Sequence, residues 1–255
     1  MRNSRNLLQA ALLVPAALIF VTALPVSASD MDTKIEHAIK TSYNFKTHLS
    51  SDHIAVVSVN GVVTLSGSVA EDYRRTLAAE TAADIPGVKD VKNELVLVSD
   101  QPSENSDGWV TMKVKGALAF HKNVSVTHTE VFTNGGVVTL KGEAGSAAQR
   151  ELTTEYARDV EGVKSVNNQM TVAGVKAPET LGEKVDDASI TAQIKTSLLF
   201  HRSTHVLATK IKTKDGVVRI SGEASNAAER ALVGKLAADT NGVKHVINQM
   251  TIKQS

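Results

Sequence analysis

An internal repeat is the feature of this sequence that most constrains its fold. Three strings align without gaps, NGVVTLSGSV, GGVVTLKGEA and DGVVRISGEA, which begin at Asn60, Gly135 and Asp215. A second set, GVKDVKNELVLV, GVKSVNNQMTV and GVKHVINQMTI, follows each of them at the same distance. Both sets are offset by 75 residues between the first and second copies and by 80 between the second and third. Because such a repeat builds one unit several times, we expect three tandem copies of a small module.

The repeats predict three modules, at residues 30–99, 107–173 and 187–252. Residues 99–106 and 173–185 lie between them and are polar or interrupted by Pro and Gly, as linkers are. The chain therefore resembles beads joined by short tethers, and the sequence leaves open whether the modules pack on one another.

Hydrophobic periodicity predicts the same order of elements, α-β-β-α-β, within each repeat. A short amphipathic helix comes first, with Ile35 and Ile39 on one face in the first copy. Two strands follow, joined by Asn-Gly, Gly-Gly or Asp-Gly, which suit a two-residue hairpin turn. An alanine-rich helix and an alternating strand complete the repeat. We expect an α+β fold in which each module has a three-stranded mixed sheet with two helices on one face.

Glycines recur at three positions in every copy, and we expect them to be structural. They fall in the hairpin turn, after the second strand and at the end of the second helix. Phosphate binding by the backbone is the alternative at the middle position, but no glycine-rich fingerprint or Lys-Ser/Thr pair accompanies it. These residues are Gly61, Gly67, Gly87, Gly136, Gly142, Gly162, Gly216, Gly222 and Gly242.

Asparagines also recur, in the last strand, at Asn93, Asn168 and Asn248. A structural amide with satisfied hydrogen bonds is the interpretation we favour, and binding of a polar ligand group is the alternative.

The first 28 residues follow the pattern of a secretory signal peptide. Arg2 and Arg5 precede an apolar stretch that ends at Leu24, and small residues follow up to Ala28. This order predicts export to the periplasm with cleavage after Ala28, whereas an uncleaved membrane anchor is the alternative. The sequence has no cysteine, so disulfides, thiolate metal sites and lipid attachment to a thiol are excluded.

Charge is spread unevenly along the chain. Without residues 1–28 the chain has 26 basic and 27 acidic side chains, and this near-neutral balance argues against a nucleic-acid partner. Residues 30–99 have a net charge of −3, residues 107–173 of zero and residues 187–252 of +4. The third repeat is therefore the best candidate for contact with an anionic partner.

Motifs that carry catalysis or bind metals are missing from the sequence. Neither Gly-x-Ser-x-Gly nor His-Glu-x-x-His occurs, so we expect no enzyme and no cofactor. His201 and His205 are four residues apart, as a metal-binding pair on a helix would be, but no further ligand is near in sequence. We expect no metal site.

Two segments are candidates for contact with a membrane surface or a protein partner. The only tryptophan, Trp109, opens the first helix of the second repeat and precedes two lysines, while the equivalent helix of the third repeat ends in apolar residues and an arginine. Amphipathic helices of this composition can lie in a membrane interface. The alternative is that the apolar residues are core, which we expect for Phe120 and Phe200. The predicted contact residues are Trp109, Lys113, Lys115, Leu198, Leu199 and Arg202.

The two repeated motifs, V-V-T-L-x-G after a hairpin turn and G-V-K-x-V-x-N-x-L/M near the end, resemble the BON domain, named for OsmY and nodulation proteins of bacteria. The resemblance covers all three repeats. A signal peptide followed by tandem copies is similar to the OsmY type of hyperosmotically inducible periplasmic protein, which typically has two copies where this chain has three. The resemblance implies attachment to phospholipid surfaces, a role in envelope integrity or osmotic stress, a chaperone-like role in some members, and no enzymatic chemistry.

Together these observations predict a periplasmic stress protein or adaptor whose modules associate with anionic phospholipid surfaces or envelope proteins. Several weak modules on one chain would gain apparent affinity through effective concentration. A holdase that binds unfolded exported proteins is the alternative, and a purely structural spacer is a third possibility.

Overall fold

The computed structural model describes residues 30–98, 102–124, 129–173, 184–204 and 209–253. The predicted signal peptide, its cleavage point and much of the second linker lie outside the described residues. Each repeat has the predicted order of helices and strands, and each builds a mixed sheet, so the α+β fold is confirmed.

The first module contains an additional helical turn that periodicity did not predict. Its elements are α1 (Asp30–Thr41), α2 (Tyr43–Thr47), β1 (His53–Val59), β2 (Val62–Val69), α3 (Asp72–Ala83) and β3 (Asp90–Leu97). The central strand β2 pairs antiparallel with β1 and parallel with β3. Ile35 and Ile39 of α1 and Leu77 of α3 are buried against Leu65 of β2, so both helices cover one face of the sheet.

The second and third modules repeat this arrangement with the last strand divided in two. Module 2 consists of α4 (Asp107–Leu118), β4 (Thr129–Asn134), β5 (Val137–Ala144), α5 (Ala147–Arg158), β6 (Ser165–Asn168) and β7 (Thr171–Val172). Module 3 consists of α6 (Asp187–Phe200), β8 (Thr209–Lys214), β9 (Val217–Ala224), α7 (Ala227–Ala238), β10 (His245–Asn248) and β11 (Thr251–Ile252). Both segments of the divided strand pair parallel with the central strand.

The repeated asparagine lies at this interruption and has a structural role. Asn168 Oδ1 accepts a hydrogen bond from the backbone N–H of Met170 (2.9 Å), and Asn168 Nδ2 donates to the carbonyl of Arg150 on the second helix (2.8 Å). Asn93 and Asn248 make the same two kinds of bond. The amide therefore ties the last strand to the preceding helix in every module.

Each hairpin turn is held by an aspartate of the first helix and a lysine of the G-V-K motif. In module 2, Asp107 accepts hydrogen bonds from the backbone N–H groups of Gly135 (2.7 Å) and Gly136 (2.8 Å), and these bonds lower the pKa of its carboxyl. Lys164 Nζ donates to the carbonyl of Gly135 at 3.0 Å. The equivalent aspartates are Asp32 and Asp187. They recur at the offsets of 75 and 80 residues, so the sequence contains a signal for these aspartates.

The nine motif glycines all have φ between +78° and +126°, a region that favours glycine. We expected Gly67 to follow the second strand, but it lies within β2, opposite Ile54. A Cβ at Gly67 would lie 1.9 Å from the carbonyl oxygen of His53. The glycine therefore permits close approach of two strand backbones.

The modules share their cores, which answers the question of packing that the sequence left open. Buried apolar residues form two clusters: one joins modules 2 and 3, and the other joins module 1 to Phe120, Ala188 and Ala192. Helix α6 is the cause, because it contacts both α3 and α4 and its residues are buried around most of its circumference. A helix that is buried on all sides belongs to the interior of a larger unit.

Replacement of Gly67 by alanine tests the role of the glycine inside the strand. We expect Gly67→Ala to lower the free energy of unfolding by about 3 kcal/mol or more, because the new Cβ meets backbone that cannot move away and the positive φ becomes strained. Urea denaturation followed by circular dichroism measures the change.

Gly135→Asn is the matched control. Gly135 also has positive φ, but a Cβ there meets nothing within 4 Å, and Asn60 occupies the equivalent place in module 1. This variant should change the stability by no more than about 0.5 kcal/mol. Equal losses in the two variants would contradict the close-approach explanation.

Candidate functional site

Modules 2 and 3 meet at a junction, here called the 2–3 junction, in which equivalent residues exchange equivalent contacts. His121 forms an antiparallel β-bridge with Thr240, and His201 forms one with Val160. The two histidines are 80 residues apart, as are the two partners, which is the repeat offset. The modules therefore pack about an approximate twofold axis, as the subunits of a symmetric dimer do.

Histidine–aspartate pairs lie at the centre of the 2–3 junction. His201 Nδ1 is 3.1 Å from Asp159 Oδ2, and His121 Nδ1 is 3.4 Å from Asp239 Oδ2. Both imidazole rings are fully buried. Burial raises the pKa of Asp159, but hydrogen bonds from His201 and Ser203 outweigh it and hold the pKa below its usual range. The Asp159 carboxylate is therefore charged at neutral pH and bound by His201 and Ser203.

One half of the junction also contains a tyrosine. The Tyr156 ring stacks on His121 with 4.1 Å between centroids, and its hydroxyl donates to Asp239 Oδ2 at 2.9 Å. Burial lowers the pKa of His121 and raises that of Tyr156, so both groups are uncharged at neutral pH. Leu236 occupies the equivalent position in module 3. Because these rings are enclosed between two modules, the cluster is suited to holding the modules together and not to receiving a substrate.

The two repeated phenylalanines converge on module 1. Phe120 is fully buried, which confirms its expected place in the core, and Phe200 is partly buried. Their ring centroids lie 6.1 Å and 6.4 Å from that of Tyr73 on α3. The Phe200 ring also packs against Gly116, where a Cβ would lie 2.8 Å from the ring. Aromatic contacts thus connect all three modules at one point.

Module 1 and α6 are joined by buried polar groups as well. The backbone N–H of Asn44 donates to Ser189 Oγ (3.1 Å), and Asn44 Oδ1 accepts from Gln193 Nε2 (2.7 Å). Lys195 Nζ forms ion pairs with Glu80 (2.9 Å) and Asp84 (3.2 Å) of α3. Asn44, Ser189 and Gln193 do not recur in the other repeats, whereas Lys195 and Asp84 do, as Lys40 and Lys115 and as Asp159 and Asp239. Repetition alone therefore does not identify this interface.

Two of the predicted contact residues make contacts inside the protein. Lys113 Nζ lies 3.9 Å from the ring centroid of Trp109 and 2.7 Å from Glu161 Oε2. Its hydrogen bond lowers the pKa of Glu161. Lys113 is buried and Trp109 is half-buried. The pair therefore fastens α4 to the segment after α5, and Lys113 is not on an accessible surface.

The other four predicted contact residues do not form one surface with them. Leu198 is 1% exposed, because helical spacing places it on the core face with Ile190 and Ile194, so it cannot contact a partner. Leu199 is 47% exposed. Lys115 and Arg202 are also exposed, and Arg202 Nη2 donates to the carbonyl of Arg158 (2.8 Å). Lys115, Leu199 and Arg202 remain candidate contacts.

Within the described ranges, no three His, Cys, Asp or Glu side chains are grouped as a metal site would require. His201 faces Asp159, while its predicted companion His205 lies outside the described residues. No helix among the described residues is long and apolar enough to cross a membrane.

Comparison with known proteins gives a consistent family match. The profile of the BON domain matches residues 31–99, 106–174 and 186–254. The chain is 37% identical over 147 residues to osmotically-inducible protein Y of Escherichia coli, which covers 58% of this chain and 73% of that protein.

Two further relatives have lower identity. The outer membrane lipoprotein DolP of Haemophilus influenzae is 28% identical over 148 residues, covering 57% of this chain and 74% of that protein. The 21 kDa hemolysin of Actinobacillus pleuropneumoniae is 29% identical over 151 residues, covering 56% and 77% respectively.

The buried histidine of module 1 predicts that acid destabilises the protein. His48 lies 5.2 Å from the Phe120 ring, and burial, together with the nearby Arg74 charge, lowers its pKa from 6.5 to about 4. As the pH falls through this window the unfolded chain takes up a proton that the folded chain does not. The free energy of unfolding should therefore have its full value above pH 6.5 and decrease by up to about 3 kcal/mol as the pH falls towards 4.

Urea denaturation at neutral pH and at pH 5 measures this loss in the wild type and in His48→Gln, which does not titrate. The loss should be smaller in His48→Gln and unchanged in His37→Gln, the control on the exposed side of α1. The same pH dependence in His48→Gln and wild type would exclude His48 as its source.

Proposed function

Because the chain belongs to the BON-domain family, we propose that it is a non-enzymatic protein of the bacterial envelope that binds phospholipid surfaces and supports the envelope under osmotic stress. Its likeness to an osmotically inducible protein and to an outer membrane lipoprotein supports this role. The N-terminal order of basic, apolar and small residues supports a periplasmic location.

The non-enzymatic part of the proposal is supported by how the chain uses its reactive side chains. The acid and base pairs of the 2–3 junction, His121–Asp239 and His201–Asp159, are enclosed between modules, and His201 is hydrogen-bonded to Asp159. Catalysis requires such groups to reach a reacting atom. Here their geometry serves assembly.

The observation that carries the surface-binding proposal is the orientation of the modules. Helices α3, α4 and α6 form the contacts between modules, while the outward sides of the sheets carry exposed residues in every module. Val57 and Phe132, at equivalent positions on two of these sheets, are 51% and 53% exposed. The protein thus presents extended sheet faces that are free of contacts between modules, which suits contact with a broad surface.

Vesicle co-sedimentation tests the proposal. The chain without residues 1–28 should sediment with vesicles of phosphatidylglycerol mixed with phosphatidylcholine, and less with phosphatidylcholine alone, because the third module has a net positive charge. Binding should weaken as salt is raised, since salt screens exposed charges. Absence of binding to the anionic vesicles even at low salt would overturn the proposal.

A holdase function is the second candidate, and exposed apolar residues in module 1 favour it. Val96 and Val98, at the end of the edge strand β3, are 60% and 68% exposed. Exposed apolar side chains on a strand edge can receive an unfolded chain. Suppression of the aggregation of an unfolded exported protein, without vesicle binding, would favour this function over the first.

A further inference from the structure

We infer that the outward face of the module 3 sheet is the surface that docks on anionic phospholipid. This inference deepens the proposed function and rests on it. The face, here called the cationic face, is defined by Lys210, Lys212, Lys214 and Arg219, all of which are exposed.

Strand alternation places these four side chains together. On β8 the buried Ile211 points into the core, so Lys210, Lys212 and Lys214 point outward. On β9 the buried Val218 and Ile220 flank Arg219, which points outward as well. Neighbouring positions on such a face are about 5–7 Å apart, so the four charges lie on one small patch.

The register makes this patch electrostatically unfavourable by itself. Lys212 lies directly opposite Arg219 in the antiparallel pair. Like charges in that position destabilise a sheet. Within the described ranges no carboxylate forms an ion pair with any of the four side chains, although Glu223 lies further along the same face and Asp215 lies in the adjoining turn. An external anion would relieve this repulsion.

The equivalent faces of the other modules lack this character. Lys212 corresponds to Val57 in module 1 and Phe132 in module 2, and Arg219 corresponds to a threonine in both. Charged residues on the outward face are Asp90, Lys92 and Glu94 in module 1, and Glu130, Lys141 and Glu143 in module 2. Each of these two faces has one cationic and two acidic side chains, whereas the cationic face has four cationic side chains and one acidic side chain, Glu223. The positive charge of the third repeat is therefore concentrated where the sheet is free.

The shape and composition of the face favour a lipid surface over other anions. Lysines on a flat sheet can reach several headgroups in one plane, and each basic residue near an anionic leaflet adds to binding. Ile247, paired with Arg219 on the side away from the lysines, adds an apolar side chain beside the charges. The described outward positions of β8, β9 and β10 include no Phe, Tyr or Trp on which nucleic-acid bases could stack.

A triple variant with a charge-matched control tests the inference in the full chain without residues 1–28. The test variant is Lys210→Ser, Lys212→Ser and Arg219→Thr. The control is Lys34→Ser, Lys46→Ser and Lys235→Ser, which removes the same charge from exposed helical positions. Because all six side chains are exposed, both variants should keep the circular dichroism spectrum of the wild type, and the control should keep its melting temperature. The melting temperature of the test variant should stay the same or rise, because the variant removes the like charges of Lys212 and Arg219.

In co-sedimentation with mixed phosphatidylglycerol and phosphatidylcholine vesicles at low salt, the test variant should lose about tenfold or more in partition coefficient, and the control clearly less. Equal losses in both variants would mean that net charge alone governs binding and would overturn the inference. So would an unchanged test variant, while the proposed function would still stand. Failure of the wild type to bind would instead remove the proposed function.

A second arm separates lipid from other anions. The wild type and the test variant are titrated with duplex DNA and with inorganic polyphosphate at the same salt. We expect weaker binding of the wild type to both than to the anionic vesicles. Tighter, face-dependent binding to either polymer would assign the cationic face to a soluble polyanion and overturn the lipid assignment.

Discussion

Burial of α6 around most of its circumference is the constraint on which the rest of the structure depends. This helix belongs to the core of module 3, lies against α4 of module 2 and receives α3 of module 1. Small side chains make this possible: Ala188 and Ala192 face module 1, and Gly116 on α4 leaves room for the Phe200 ring. Larger residues at these points would push the helices apart and expose the apolar faces that they cover.

Polar groups determine how these helices fit together. Buried polar groups cost free energy unless they are hydrogen-bonded, and the bonds of Asn44 to Ser189 and Gln193 form only in one relative position of module 1 and α6. The histidine–aspartate pairs act in the same way between modules 2 and 3. Apolar packing thus drives the modules together, while the polar groups select one arrangement from those that packing alone would allow.

The interior of each module could be predicted from the sequence because the same sequence pattern occurs in three copies. The repeat indicated the hairpin turns, the helices and the glycines. The aspartates that hold the hairpin turns, Asp32, Asp107 and Asp187, recur at the same offsets. The interruption of the last strand in modules 2 and 3 could not be read from alternation, because Asn93 has the same local hydrogen bonds as Asn168 and Asn248 and yet lies in a continuous strand.

The junction of module 1 with the rest of the protein could not be predicted for the opposite reason. Tyr73, Asn44 and Gln193 occur in one module each, so no repetition marks them as important. The apolar residues of α6 are typical both of a membrane-facing stripe and of a core face. Only the position of a second helix decides between these interpretations. Leu198 shows the difficulty: helical spacing placed it on an apolar face, but the partner of that face lies in the core of the same chain.

The comparison of inward and outward positions suggests how one fold acquires different surfaces. Inward positions on the central strand keep their character across the modules, as Leu65, Leu140 and Ile220 show. Outward positions do not, because solvent accepts any side chain there at little cost. A like-charge pair such as Lys212 and Arg219 is the exception to that tolerance, since it costs stability and gains nothing from the fold. The core of module 3 therefore does not explain why this pair occurs there and not in the other modules. Contact with an anionic surface explains it.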